Sequence, residues 1–195
     1  MKKIGITGGI ASGKSLVTDY LKSLGAKVIC ADEITHELYL PNEEGTKAIA
    51  KEFGEEYIDE NGVDRKKLGM LVFGDRERLS KLNELIHPLV FSEIENRIGE
   101  EDDVVFFDAA LLIESGMHKG MDEVWLVVTN LYERIKRLKI RDNLDDETID
   151  RIIGSQMDDI EKSRVADRII DNSFTREETL RQVKRIYEKI LEDKV

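Results

Sequence analysis

The sequence has few of the residues that cross-link or interrupt a chain. Of its 195 residues one is cysteine and two are proline, and a chain of this length can bury an adequate core without disulfides. No apolar run is long enough for a signal peptide or a membrane span, which predicts a cytoplasmic protein with no membrane partner. Basic residues are outnumbered, 30 to 41, and the resulting net charge of -11 argues against nucleic acid as a partner.

Short apolar runs alternate with stretches of helical periodicity, which is typical of an α/β fold built on a parallel sheet. Five runs rich in Val and Ile predict the strands, because buried parallel strands have this composition. These runs are 3–7, 27–31, 104–107, 123–129 and 168–171. A helix is predicted over 14–24, and the last helix opens with Thr175 and Glu178 at the spacing of a capping box.

A long segment between the second and third predicted strands has no convincing strand of its own. Helical patterns occupy most of it, at 46–53, 64–73, 75–86 and 88–98. Such an insertion is far longer than a usual strand-to-helix connection, and long insertions in compact domains are commonly functional. We expect it to recognise a substrate, although a purely structural insertion is the alternative.

One motif follows the first predicted strand and opens the first predicted helix. It matches the pattern G-x-x-x-x-G-K-[ST] and consists of Gly8, Gly9, Ile10, Ala11, Ser12, Gly13, Lys14 and Ser15. Glycines let the backbone turn its N–H groups inward, and the helix N-terminus adds partial positive charge. The motif therefore predicts a phosphate-binding loop, or P-loop.

Three residues at the end of this loop have expected roles in binding ATP. Lys14 is expected to bridge the β- and γ-phosphates, and the Ser15 hydroxyl to bind Mg²⁺. The amide of Leu16 is expected to approach the α-phosphate. Ile10 and Ala11 need only be tolerated by the loop.

Other residues favour a kinase over other nucleotide-binding proteins. The guanine-reading sequence N-K-x-D is absent, and a chain of 195 residues leaves little room for the further modules of large ATPases. Asp32 follows the second predicted strand, at the edge of the sheet where ligands bind, so it is a candidate to accept the proton of an attacking hydroxyl. An equally weighted alternative is that Asp32 caps the helix that follows. Asp108 ends the third strand, where a carboxylate can bind the water shell of Mg²⁺ or meet substrate.

A basic cluster is predicted on one helix of this acidic chain. Arg134, Arg137 and Arg141 recur at helical spacing, and arginines on a mobile helix could close over ATP as a lid. The alternative is a solvated helix face with pairs such as Glu133 and Arg137.

Taken together these residues resemble the dephospho-CoA kinase family through essentially the whole chain. The landmarks, in order, are residues 7–15, Ala31-Asp32, residues 87–90, residues 108–114, Arg137 to Arg141 leading to Gln156, and residues 166–172. The resemblance implies a P-loop kinase with a five-stranded parallel sheet flanked by helices, a helical substrate-binding insertion and a helical lid. It implies ATP-dependent phosphorylation of the ribose 3′-hydroxyl of dephospho-CoA, the final step of coenzyme A biosynthesis.

The resemblance also implies domain boundaries and site residues. The core would be 1–33, 99–134 and 158–195, the CoA-binding insertion 34–98 and the lid 135–157. Asp32, Lys14, Arg137 and Arg141 would be catalytic, and Arg137 and Asn172 would join the loop residues 8–16 in binding ATP. The acceptor would be bound by Asp32, His87, Pro88, Asp108, Leu111 and Glu114. Ser15 would bind Mg²⁺ directly, and Asp108 through water.

Two departures from the family pattern qualify these expectations. Ala110 stands where the family usually has proline, and Ser173-Phe174 stand where a glycine usually follows the Asn matched by Asn172, which puts the adenine contact in doubt. His87 before Pro88 can also simply mark the end of one helix and the start of another.

Two rival functions are compatible with the same motifs. A nucleoside or nucleotide kinase would differ in what fills the helical insertion. A nucleotide-dependent switch would bind a protein partner and hydrolyse slowly. The expected partners are ATP and dephospho-CoA, and the expected assembly is a monomer or a small homo-oligomer.

Overall fold

The computed structural model describes residues 1–72, 75–99 and 102–192, and of Arg76 only the backbone. The chain divides into two compact units, a sheet unit of Met1–Ile29 with Glu101–Val195 and a helical unit of Cys30–Glu100. The helical unit thus begins four residues before the expected insertion at residue 34. The expected lid, 135–157, falls within the sheet unit and stays a prediction as a separate body.

The described residues form seven strands. These are β1 Lys2–Thr7, β2 Lys27–Cys30, β3 Ile58–Asp59, β4 Gly62–Val63, β5 Val104–Asp108, β6 Glu123–Val128 and β7 Arg168–Asp171. Nine α-helices accompany them in the same residues. These are α1 Lys14–Ser23, α2 Ala31–Leu38, α3 Glu44–Phe53, α4 Arg65–Val72, α5 Arg76–Arg97, α6 Leu131–Asp142, α7 Asp146–Gly154, α8 Asp159–Ser163 and α9 Arg176–Glu192.

Five strands form the main sheet in the order β2-β5-β1-β6-β7. The neighbours β1 and β5, β1 and β6, and β6 and β7 are parallel. This confirms the predicted five-stranded parallel sheet, and each predicted strand agrees with an observed one to within a residue at either end. Because β1 lies at the centre, the loop that follows it is placed at the carboxyl edge of the sheet, where open α/β sheets bind ligands.

One face of the sheet is covered by α1 and α9. Alternate strand residues point to this face, and they pack against apolar residues of the two helices. The cluster comprises Ile4, Ile6, Val17, Leu21, Val104, Phe106, Trp125, Val127, Ile170, Val183, Tyr187 and Ile190. At its centre the rings of Phe106 and Trp125 meet edge to face with centroids 5.2 Å apart.

The predicted capping box at the start of α9 is confirmed. The Thr175 amide donates to Oε2 of Glu178 at 3.1 Å, and the Glu178 amide donates to Oγ1 of Thr175 at 3.2 Å. These bonds satisfy N–H groups that have no acceptor within the helix. In the ranges given above, no helix is both long and apolar enough to cross a membrane.

The helical unit contains a small β-hairpin that the sequence did not predict. Ile58–Asp59 pairs antiparallel with Gly62–Val63. Each strand has only two residues, too few to show an alternating pattern. The expectation that the insertion lacks a long strand still holds among its described residues. The predicted helix 64–73 is observed as Arg65–Val72, and its last residue, Phe73, lies outside the described residues.

The expected break between helices at His87 and Pro88 is wrong. One helix, α5, runs from Arg76 to Arg97 with Pro88 inside it. A proline there removes one helical hydrogen bond and costs about 3 kcal/mol. Ile86, Val90 and Ile94 are all at least 95% buried and repeat at the four-residue spacing of one helix face on both sides of Pro88. Burial of this stripe offsets the cost, because each such side chain contributes about 1.5–3 kcal/mol.

Candidate active site

The loop between β1 and α1 carries the phosphate-binding motif, and its last glycine is required by the backbone. Gly13 is the N-cap of α1 and has a φ of 92°, in the left-handed region that side chains avoid. A Cβ at this position would also collide with Nδ2 of Asn172. Lys14 and Ser15 then open the helix with N–H groups that have no acceptor within it. These groups and the helix dipole favour an anion here.

Ala11 in the same loop also adopts a left-handed backbone. Its φ is 60°, one of three positive values among the described non-glycine residues. A residue with a Cβ in this region is strained by about 1 kcal/mol or more. Position 11 must therefore adopt a left-handed backbone, which is a stricter requirement than the expectation that the loop need only tolerate Ala11.

Two arginine side chains of α6 donate hydrogen bonds to three carbonyl groups of the loop. Nε of Arg134 donates to the carbonyl of Ile10 at 3.0 Å. Nη1 of Arg137 donates to the carbonyl of Ala11 at 3.1 Å and to that of Ser12 at 3.3 Å. These oxygens are therefore turned toward the two guanidinium groups.

The Ser12 carbonyl receives two further hydrogen bonds. Oγ1 of Thr129 donates to it at 2.7 Å and Nδ2 of Asn172 at 2.8 Å. Carbonyl oxygens are the negative ends of the peptide dipoles and would repel a phosphate. Because they are occupied by protein donors, these oxygens are held away from an incoming anion before it binds, and the N–H groups of Lys14 and Ser15 at the start of α1 are left to meet it.

Lys14 forms an ion pair with Asp108, the last residue of β5. The two side chains are only 17% and 11% exposed, so the pair is held largely out of water. A triphosphate arriving at Lys14 must share its ammonium group with Asp108 or displace that carboxylate. The pair also places a carboxylate beside the group expected to hold the β- and γ-phosphates.

The donors near the loop fit Mg²⁺. Ser15 is exposed in the first turn of α1, and Asp108 lies next to Lys14. Within residues 1–72, 75–99 and 102–192, no group of three or more His, Cys, Asp or Glu side chains could hold a metal ion alone. Mg²⁺ keeps several waters and binds through one or two protein oxygens together with phosphate oxygens, so this sparse set is sufficient.

The arginines of α6 divide into two groups. Arg134 and Arg137 contact the loop, whereas Arg141 pairs with the neighbouring Asp142, with contacts of 2.8 and 2.7 Å, and its side chain is 63% exposed. Arg141 lies one helical turn beyond Arg137, about 6 Å further along the axis. The expected contacts of Arg137 and Arg141 with a transferring phosphate stay predictions.

Asn172 is buried and its side chain is engaged within the protein. Besides its bond to Ser12, its Oδ1 accepts from Oγ1 of Thr179 at 2.9 Å. The backbone carbonyl of Asn172 accepts from Nη2 of Arg137 at 3.1 Å. Asn172 thus ties the end of β7 to the phosphate loop, and its adenine contact stays a prediction.

Three expected acceptor residues lie in the helical unit. Asp32 is exposed in the first turn of α2, where Cys30 is the N-cap, so the alternative that Asp32 caps this helix is wrong. His87 is half-buried in α5, and burial lowers its pKa from the usual 6.5, which favours the neutral imidazole. Pro88 follows with its side chain exposed.

The loop after β5 carries the remaining expected acceptor residues. Leu111 is 49% exposed. Glu114 forms an ion pair of 2.8 Å with Lys162 of α8, a side chain with no exposed surface. The pair fixes the end of this loop to α8, so Glu114 has a structural partner whatever its part in binding.

Sequence reasoning missed several residues that shape the site. It assigned no role to Thr129 or Thr179, and it treated Arg134 only as one member of a basic cluster. Gln156 was noted only as a landmark, yet its Oε1 accepts from the Ile10 amide at 2.8 Å. The one available signal was the helical spacing of Arg134 and Arg137, which indicates a shared face but not what that face meets.

Comparisons with known proteins match this chain over nearly its full length. The model of the dephospho-CoA kinase family matches residues 2–178. The chain is 40% identical to the dephospho-CoA kinase of Aquifex aeolicus (strain VF5), over 99% of this chain and 100% of that protein. Two solved structures cover the chain similarly. TT1252 from Thermus thermophilus has a TM-score of 0.82 at 31% identity, over 96% of this chain and 97% of its own. The dephospho-CoA kinase from Campylobacter jejuni has a TM-score of 0.72 at 29% identity, over 100% of both chains.

Proposed function

Because this chain belongs to the dephospho-CoA kinase family, we propose that it transfers the γ-phosphoryl group of ATP to the ribose 3′-hydroxyl of dephospho-CoA. The products are ADP and coenzyme A, and the reaction is the final step of coenzyme A biosynthesis. One observation supports this proposal more strongly than any other. The family match extends through both units, including the helical unit, and not only through a phosphate loop that many nucleotide-binding families share.

The nucleotide side of the reaction is assigned to the sheet unit. Lys14 and the N–H groups at the start of α1 hold the triphosphate, with Leu16 nearest the α-phosphate. Ser15, and Asp108 through water, would hold Mg²⁺, which would supply positive charge next to the triphosphate. Support comes from the loop carbonyls already bound to Arg134, Arg137, Thr129 and Asn172.

The acceptor side is assigned to Asp32. Its carboxylate orients the 3′-hydroxyl in line with the γ-phosphate and accepts its proton as the new phosphorus–oxygen bond forms and the bond to ADP breaks. Its exposure in the first turn of α2, directly after β2, supports this role. Arg137 and Arg141 neutralise charge on the transferring group, while His87, Pro88, Leu111 and Glu114 contribute to binding the acceptor.

A substrate panel tests the proposal. The purified protein is incubated with Mg·ATP and, separately, with dephospho-CoA, with nucleosides and with nucleoside monophosphates, and ADP release is measured. We expect dephospho-CoA alone to stimulate ADP release, with one phosphate appearing on the ribose of the product. Stimulation by a nucleoside or its monophosphate instead would favour the rival kinase, and slow hydrolysis without any acceptor would favour the switch.

A further inference from the structure

Both backbone polar groups of Ile10 are held by side chains at the two ends of the predicted lid. The Ile10 amide donates to Oε1 of Gln156 at 2.8 Å, and its carbonyl accepts from Nε of Arg134 at 3.0 Å. Arg134 immediately precedes residue 135, where the predicted lid begins, and Gln156 is one residue from its end. The two ends of the lid segment are therefore attached to the same residue of the phosphate loop.

An ion pair connects the two ends directly. Nη1 of Arg134 lies 3.4 Å from Oδ2 of Asp159, which follows the predicted lid by two residues. The Arg134 side chain is only 9% exposed, so solvent screens this pair weakly. We call Arg134, Gln156 and Asp159 the stem clamp.

The stem clamp also explains why Gly9 has no side chain. A Cβ on Gly9 would lie 2.5 Å from Nη2 of Arg134 and 2.9 Å from its central carbon. The guanidinium group of Arg134 thus packs directly against the backbone of Gly9 while it donates to the carbonyl of Ile10. Such packing leaves little freedom for the path of the chain between β1 and α1.

We propose that Arg134, Gln156 and Asp159 are positioning residues that hold the phosphate loop in its nucleotide-binding conformation. They act through the backbone of Ile10 and not through contact with ATP. Arg134 fixes the carbonyl, Gln156 fixes the amide, and Asp159 orients the Arg134 guanidinium. This inference rests on the proposed function for its kinetic consequence, but nucleotide binding can be measured without any acceptor.

Two substitutions break the stem clamp with little change of shape. Asp159→Asn removes the charge that orients Arg134, and Gln156→Met removes the acceptor for the Ile10 amide. The matched control is Asp158→Asn, which removes the same charge one residue away and retains the side-chain oxygen that caps α8 through the Glu161 amide. Asp159→Glu keeps the carboxylate and serves as the rescue variant.

The measurements are ADP affinity by calorimetry, the separate KM values for ATP and dephospho-CoA, and the melting temperature. For Asp159→Asn and Gln156→Met we expect ADP affinity to fall about fivefold or more and KM for ATP to rise by a similar factor, as for the loss of one hydrogen bond. KM for dephospho-CoA should not change. Asp158→Asn should match the unchanged protein, and Asp159→Glu should recover much of the loss.

A purely structural role gives a different result. If Asp159→Asn and Gln156→Met melt at lower temperature but bind ADP as tightly as Asp158→Asn, the stem clamp does not position the loop. Failure of the proposed function is distinguishable from this. In that case the unchanged protein binds ADP without phosphorylating dephospho-CoA, and the ADP affinities of the variants still decide the inference.

Discussion

The sheet unit and the helical unit hold their candidate functional residues by different means. In the sheet unit the phosphate loop is surrounded by hydrogen-bond donors, and Lys14 has a carboxylate partner. In the helical unit the described buried side chains are apolar except for that of Thr46. The apolar ones are Ala31, Ile34, Ile49, Val63, Leu68, Val72, Ile86, Val90 and Ile94. Asp32 and His87 lie at the surface or half-buried around this core.

The contrast indicates that the two units contribute to the proposed reaction in different ways. Electrostatic preorganisation, the largest single contribution in many enzymes, belongs to the sheet unit because its dipoles and charges are fixed before ATP binds. On the proposed function, the helical unit would supply shape and surface for the acceptor, and the Asp32 carboxylate would supply the chemistry. Substitutions in the two units should therefore affect different kinetic parameters. Two predictions test this by kinetics and two more compare the units by stability, from the largest expected effect to the smallest.

The largest effect is expected from Lys14→Met. The variant should lose at least about a hundredfold in nucleotide affinity and turnover together, because the charge that meets the β- and γ-phosphates is gone. Calorimetry with ADP and a steady-state assay measure the two losses. Lys22→Met, an exposed lysine of the same helix, is the matched control.

Lys14→Met also leaves the Asp108 carboxylate without its partner, which destabilises the fold. The double variant Lys14→Met with Asp108→Asn removes that charge. If the double variant melts normally and binds ADP as tightly as the unchanged protein, the assignment of Lys14 is wrong.

In the helical unit, Asp32→Asn should separate binding from turnover. We expect turnover to fall about a hundredfold or more, because the group that accepts the hydroxyl proton is gone, while ADP affinity stays the same. Glu33→Gln, also exposed in the first turn of α2, controls for loss of charge near the helix N-terminus. Equal turnover in the two variants would exclude Asp32 from the mechanism.

A smaller effect on stability is expected from Ala11→Gly. Glycine adopts the φ of 60° without strain, so the free energy of unfolding should rise by up to about 1 kcal/mol. Ala48→Gly, inside α3, should instead destabilise by about 1 kcal/mol, because glycine in a helix interior costs that much relative to alanine. Denaturant titration measures both, and a shift of the same sign in the two variants would contradict the strain assigned to Ala11.

The smallest expected effect is on how steeply the free energy of unfolding changes with pH. Because burial lowers the pKa of His87, the unfolded chain binds a proton at higher pH than the folded protein. The stability contributed by neutral His87 is present above the unfolded pKa of 6.5 and is lost as the pH falls toward the folded value. His87→Gln should therefore lose less stability than the unchanged protein on going from about pH 8 to about pH 5. Parallel unfolding curves across this range would show that the burial of His87 has no thermodynamic consequence.

The sheet and the phosphate loop were predictable because their signals are local. A strand such as Glu123–Val128 is a continuous apolar run after its first residue, and the loop motif is one short pattern between a strand and a helix. The continuous helix through Pro88 was not predictable from that residue. The local rule against proline is outweighed by buried Ile86, Val90 and Ile94, which only the packed unit reveals.

The environment of the loop was hidden for a different reason. Arg134 and Ile10 are 124 positions apart, and Asn172 and Ser12 are 160 apart. Nothing in the local sequence around Arg134 or Asn172 indicates which backbone groups these side chains meet. The resemblance to a family pointed to Arg137 and Asn172 as functional, and the structure adds that both also bond to the loop backbone.

The only tryptophan of the sequence, Trp125, is fully buried in the sheet. Its indole N–H donates to Glu123 at 2.9 Å, and its ring packs on Phe106. Tryptophan emission from this protein therefore reports the interior of the sheet unit. If the helical unit melted separately, emission would miss that transition, so an optical unfolding experiment needs far-ultraviolet circular dichroism as a second probe. Disagreement between the two curves would reveal that the halves of the molecule unfold in separate steps.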